Sequence, residues 1–148
     1  MIVRSDIKAR LAANDEGPRV AELAATCGFV FSDWEIDWSD IHPHWIVADH
    51  RGDLLGCLQI CYGRPVGRLE ILGIDPSLEK EDRSHVVELI IRSGFKLLKD
   101  YGCQASSSMI PFELKSYKRW LKRRGGVTLS TGNIIMKVFN DETEAGAE

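Results

Sequence analysis

The apolar residues of this chain fall into short alternating runs interrupted by stretches of helical period. Residues 7–11 (Ile-Lys-Ala-Arg-Leu) alternate and predict a first strand. Asn14-Asp15-Glu16-Gly17-Pro18 combines a capping side chain, acids and a proline, the makeup of a helix start. Val20, Leu23, Ala24 and Cys27 then recur at helical spacing, and Gly28 ends the run. Residues 32–41 predict a second, short helix with Trp34 and Trp38 on one face, broken by His42-Pro43-His44. Two apolar runs, 45–49 and 54–62, flank His50-Arg51-Gly52-Asp53 and predict a hairpin. A further strand starts at Gly67, carries Glu70 and ends at Asp75-Pro76. Val87, Ile90, Ile91, Gly94, Leu97 and Leu98 mark the buried face of a helix over 84–101, capped by Gly102. A strand over 103–110, a basic helix over 112–124 and a closing pair of strands, 127–129 and 133–139, complete the pattern. The expected organisation is a single domain over 1–140 and a frayed acidic tail over 141–148.

Composition narrows the setting. At 148 residues the chain is long enough for one substantial core. Its net charge of −3 gives no global attraction to nucleic acid or to an anionic membrane. No apolar run approaches the roughly 20 residues that span a bilayer, and residues 1–6 lack the apolar core of a signal peptide, so a cytoplasmic protein is expected. Cys27, Cys57, Cys61 and Cys103 form no C-x-x-C pair and sit in apolar stretches. They read as buried, reduced thiols, and no metal site is assigned.

The segment from Arg68 to Leu98 bears most directly on function. A strand, a short loop and a helix are where a phosphate-bearing cofactor commonly sits, because free N–H groups at a helix N-terminus attract anions. Close approach usually relies on glycines, since a Cβ obstructs the phosphate. Here the connection is Ser77-Leu78-Glu79-Lys80-Glu81-Asp82-Arg83, without glycine and with three carboxylates. Glu70 lies inside an apolar strand, where a carboxylate is costly unless partnered and where burial raises its basicity. It reads either as a functional base or as a residue on the solvent side of an alternating strand.

The order β-α-α-β-β-β-α-β-α-β-β resembles the GNAT acetyltransferase superfamily over nearly the whole chain. The resemblance rests on three places: Arg19-Val20-Ala21-Glu22-Leu23-Ala24 with Cys27-Gly28-Phe29, Leu69-Glu70-Ile71-Leu72-Gly73-Ile74-Asp75-Pro76, and Leu121-Lys122-Arg123-Arg124-Gly125-Gly126-Val127. It implies an α/β fold, with a mixed, mostly antiparallel sheet and helices on both faces. It also implies an acetyl-CoA-dependent N-acetyltransferase that transfers by direct attack of an amine. By that resemblance the backbone of Leu72, Gly73 and Ile74 holds the pantetheine arm, and Glu70 takes a proton from the amine. Asp82, Arg83, Ser84 and His85 stand beside the diphosphate, and Tyr117 protonates the leaving thiolate if the basic helix is shifted by about a turn. The family's phosphate loop, Arg/Gln-x-x-Gly-x-Gly/Ala, aligns with Glu79, Asp82 and Ser84, and all three differ from it. The same acids serve equally well as helix caps. Lys80, Arg83 and His85 are the side chains that could compensate.

Other signals stay open on sequence. Lys115, Lys118, Arg119, Lys122, Arg123 and Arg124 suit a solvated helix face, a CoA phosphate or an acidic partner; nucleic acid is disfavoured by the acidic chain as a whole. Trp34, Trp38 and Trp45 with His42 and His44 either fill core or shape an acceptor groove. Ser106-Ser107-Ser108 has no base beside it in sequence. Two functional classes follow: an acetyltransferase acting on a small-molecule or peptide amine, and a catalytically inactive protein of the same fold that binds a protein partner or forms a structural component. A homodimer is compatible with either.

Overall fold

The computed structural model describes residues 1–27, 36–109, 115–125, 127–128 and 134–139. Among them the chain forms β1 (Ile7–Leu11), α1 (Gly17–Ala24), β2 (Trp45–His50), β3 (Asp53–Cys61), β4 (Val66–Ile74), α2 (Lys80–Tyr101), β5 (Ala105–Met109), α3 (Lys115–Arg123), β6 (Val127–Thr128) and β7 (Ile134–Val138). Short 3-10 turns precede β1 and flank α1. The chain divides into two compact units, Met1–Gln59 with Ile71–Gly94 and Ile60–Glu70 with Phe95–Glu148. Strands β3 and β4 and helix α2 run through both.

In the first unit the strand order is β1-β2-β3-β4. β1 pairs antiparallel with β2 from Ile7↔His50 to Leu11↔Ile46, and β2 pairs antiparallel with β3 with one slip at Ala48/Asp49. The β2–β3 turn uses Arg51 at φ 53° and Gly52 at φ 93°, the left-handed pair that a two-residue hairpin needs. Asp49 Oδ1 accepts the Gly52 N–H at 2.6 Å and fixes that turn. Successive β3 residues show how the sheet is covered. A Cβ on Gly56 would stand 2.8 Å from Val86 of α2, while the Cys57 thiol points to the Val20 carbonyl of α1. The two helices therefore lie on opposite faces of this part of the sheet. The core contains Val20, Ala24, Ile41, Trp45, Val47 and Ile71. Arg10 ties β1 to the start of α1 through a two-pronged contact with Glu16 (2.7 and 2.9 Å), and it also holds Asp49.

Two expectations are corrected in this unit. Residues 36–41 are irregular, with a turn at Trp38 and Ser39, rather than helix. Asp37 Oδ1 accepts the Ser39 N–H at 3.0 Å and its hydroxyl at 2.6 Å, a local bond that competes with helical backbone pairing. Trp38 contributes its carbonyl to a close contact with Gly17, where a Cβ would sit 1.6 Å from that oxygen. Residues 32–35, with Trp34, lie outside the described residues. Helix α2 starts at Lys80, a turn before the predicted 84. Asp75 folds the preceding chain by accepting the Ser77 N–H at 2.9 Å, and Glu81 and Asp82 favour the positive end of the helix.

In the second unit the order is β4-β5-β7-β6. β4 pairs parallel with β5 over Val66↔Ala105, Gly67↔Ser106 and Arg68↔Ser107. β5 pairs antiparallel with β7 over its whole length, and β6 adds at the outer side of β7. Phe95 packs against Trp120 of α3 (ring centroids 6.4 Å) and Phe139 (5.5 Å), with Leu98 and Leu121 buried nearby in sequence. The result is a mixed, mostly antiparallel sheet.

Candidate active site

The β4 strand changes character along its length. From Val66 to Glu70 burial alternates, and from Ile71 to Gly73 three consecutive residues are buried. Arg68 and Glu70, two residues apart, share a face. The Arg68 guanidinium lies 3.1 Å from the Glu70 carboxylate, and the Glu70 side chain is 24% exposed against 58% for Arg68. The β4–β5 ladder closes at Arg68↔Ser107, so Glu70 stands two residues past its last pair. A carboxylate there is partly shielded, ionically partnered and still open to solvent, which suits proton exchange. Cys61 belongs to the same neighbourhood: burial and then the Glu70 charge push its thiol up, while Arg68 opposes them. That shift makes it a poorer nucleophile than an ordinary cysteine. Its closeness to Glu70 comes from strand pairing and was not visible in the sequence.

The backbone beyond Glu70 is heavily used. A Cβ on Gly73 would lie 2.1 Å from the Leu23 carbonyl oxygen, so the glycine is required by the close passage of α1. Ile74 donates its N–H to Thr26 Oγ1 at 3.1 Å, and the same hydroxyl lies 3.1 Å from the Ile74 carbonyl. Leu72 is buried. Of the expected phosphate-side residues, Asp82, Arg83, Ser84 and His85 all lie within the first turns of α2. The Arg83 N–H is already bonded to the Glu79 carbonyl at 2.9 Å, and Asp82 accepts from Arg4 Nε at 2.8 Å. An open pocket of about 600 Å³ lies before this helix, and Arg19, Asp53, Asp75, Ser77, Glu79 and Asp82 are among the residues that line it. Its carboxylates outnumber its arginine, which disfavours an anion.

The other candidates are placed as follows. Tyr117 falls within α3, its side chain outside the described residues. Ser106 and Ser108 are buried, and Ser107 is the partner of Arg68 in the ladder. The His42 ring bonds the Ala12 carbonyl at 3.1 Å, the His42 backbone N–H donates to Asn14 Oδ1, and Trp45 is core. Arg124 covers the Trp120 ring at 3.9 Å, so part of the basic helix is packing rather than a free face. Cys57 and Cys103 are buried and reduced. Among the described residues no helix is long and apolar enough to cross a membrane, and no group of His, Cys, Asp and Glu could hold a metal ion.

At the level of sequence, no family model and no curated protein matches the chain. Solved structures do. Ard1 from Thermoplasma volcanium superposes with a TM-score of 0.67 at 12% identity, over 92% of this chain and 99% of its own. An acetyltransferase of the GNAT family from Listeria monocytogenes gives 0.63 at 13% identity, over 90% and 95%. The fold is that of the GNAT acetyltransferases. The PaiA N-acetyltransferase from Thermoplasma acidophilum, solved in complex with coenzyme A, has it too, with a TM-score of 0.64 at 10% identity over 90% and 99%. At such identity the likeness concerns architecture, and the chemistry has to be argued from the residues of this GNAT-fold chain.

Proposed function

We propose that this chain is an acyl-CoA-dependent N-acetyltransferase acting on an amine of a small molecule or peptide. The observation that carries the reading is Glu70: a shielded carboxylate, paired with Arg68 at 3.1 Å, just past the end of the β4–β5 ladder. The fold supports it, since structures of the same architecture contain coenzyme A. Glu70 accepts a proton from the incoming ammonium at a carboxylate oxygen and thereby exposes the amine lone pair. Arg68 places a positive charge 3.1 Å from that carboxylate and fixes its position on the strand. Acyl-CoA, when bound, would supply the thioester: the amine would take its acyl group and coenzyme A would leave as the thiol.

The residues described do not fit a CoA molecule as they stand. Glu79 and Asp82 place negative charge where a diphosphate would meet the α2 N-terminus, and Arg4 offsets only Asp82. Thr26 occupies the Ile74 backbone groups. The same two observations favour a second reading, a GNAT-fold protein without turnover that serves as a binding or structural component.

Calorimetric titration with acetyl-CoA separates them. The acetyltransferase reading expects micromolar binding, and amine acetylation that falls about 100-fold in kcat in Glu70→Gln. An absence of binding up to about millimolar, worth about 4 kcal/mol, favours the second reading.

A further inference from the structure

Asp75, directly after β4, donates its N–H to the Leu55 carbonyl of β3 at 2.9 Å. Backbone groups alternate sides along a strand, so the N–H and C=O of Ile74 face the opposite edge. On that edge Thr26 meets them. Its hydroxyl accepts the Ile74 N–H at 3.1 Å, and its single proton is shared between the Leu23 carbonyl at 2.6 Å and the Ile74 carbonyl at 3.1 Å. Thr26 follows α1 in a 3-10 turn, and Gly73 lets the end of α1 come this close. Thr26 is exposed, so water and ligands reach these groups.

The geometry points to Thr26 as an internal competitor at the cofactor strand: its hydroxyl takes the Ile74 N–H and shadows the Ile74 carbonyl, the pair that an extended amide-bearing arm would have to use. This rests on the acyl-CoA reading above and gives that site a built-in restraint. An arm adding to the edge of β4 forms the same kind of bond that a strand forms. With Thr26 in place, the backbone groups of Leu72, two residues earlier, are the next that face the same edge. Binding then requires that the Thr26 turn move off Ile74, and the free energy of that step is subtracted from affinity. A hydrogen-bonding hydroxyl in place of an apolar side chain is what makes the restraint reversible, since it can exchange Ile74 for water or ligand.

The test compares wild type, Thr26→Ala and Thr26→Ser by acetyl-CoA titration and by amide hydrogen exchange at Ile74. Thr26→Ala is expected to bind about tenfold more tightly, the effect of one to two recovered hydrogen bonds. Its Ile74 amide exchanges faster in the free protein and slows when acetyl-CoA is added. Thr26→Ser keeps the bond and matches wild type in both respects. Equal, measurable affinity in wild type and Thr26→Ala overturns the restraint and leaves the acyl-CoA reading standing. Failure of every variant to bind up to about millimolar overturns both. Should Thr26→Ala fail to fold, the Thr26 methyl resonance of wild type decides: it shifts at saturating acetyl-CoA if the turn is displaced, and an unmoved methyl in a bound protein overturns the proposal.

Discussion

Strand β4 carries two regions that answer to different demands. Its first half, in the second unit, is regular: burial alternates, three residues pair with β5, and Arg68 and Glu70 stand on the exposed side. Its last residues, in the first unit, are buried in succession, press on the backbone of α1 at Gly73 and give the Ile74 groups to Thr26. In the first half side chains are free to act because the backbone is satisfied by a neighbouring strand. In the second half the fold itself consumes the backbone, and that is where a cofactor of this architecture would compete for it. A strand can thus keep a side chain open to solvent in one half while its backbone edge is taken up by the fold in the other.

The contrast can be broken at two glycines. A Cβ on Gly73 would meet the carbonyl oxygen and carbon of Leu23 at 2.1 and 2.6 Å, backbone atoms that cannot turn aside. On Gly67 it would meet Leu98 Cδ2 at 2.5 Å, the movable end of a side chain, with Cys103 Sγ at 3.1 Å. Gly73→Ala is therefore expected to cost about 3 kcal/mol in urea unfolding and Gly67→Ala about 1 kcal/mol. Equal costs would mean that the two halves of β4 are packed alike. A mild Gly73→Ala would also remove the reason for the close passage of α1.

Much of the architecture was legible because the relevant signals are local. The strand at Ile7–Leu11 follows alternation, the hairpin strands of residues 45–61 are near-continuous apolar runs, and Arg51-Gly52 supplies the turn that joins those two. The start of α2 was misplaced because Lys80-Glu81-Asp82-Arg83 has no apolar period, and what begins the helix there is the Asp75–Ser77 turn together with acids at its positive end. Residues 36–41 misled because two tryptophans at helical spacing outweighed Asp37 and Ser39, whose side chains bend the chain locally. At the site, Glu70 was singled out as a carboxylate in an apolar strand. Arg68 as its partner, Cys61 as its neighbour and Thr26 on Ile74 are matters of three-dimensional placement, and only the first pair is close in sequence.

Carboxylates sharpen the comparison further. Glu16 receives both prongs of Arg10, and that bonding lowers its pKa from the ordinary 4.5 to about 2. Glu70 has one contact with an exposed arginine. A carboxyl whose folded pKa is depressed adds stability above its unfolded pKa and loses it as pH falls toward the folded value. Glu16 should therefore contribute fully above about pH 5, and the contribution should fade between pH 4.5 and 2. Glu16→Gln is expected to lose about 1.5 kcal/mol at pH 7 by urea unfolding and to approach wild type near pH 2.5. A gap that persists undiminished at low pH would show that shape, not charge, matters at Glu16. Glu70→Gln should move stability much less, leaving its effect in turnover.

The smallest effect is expected at Arg4. Its guanidinium reaches Asp82 at 2.8 Å, joining residues before β1 to the first turn of α2, but the arginine side chain is 52% exposed. Water and salt screen such a pair, and holding a long side chain in place costs entropy. Asp82 in addition sits at the positive end of a long helix, where its charge is favourable without a partner. Arg4→Gln should thus shift unfolding by less than about 0.5 kcal/mol, and less still at 0.5 M salt. In acetyl-CoA binding the same change should act in the opposite sense to Thr26→Ala, because it leaves Asp82 uncompensated beside the incoming phosphates. A loss of stability well above 1 kcal/mol would instead place the start of α2 with Gly73, as a part of the first unit that structure has claimed and ligand binding cannot use.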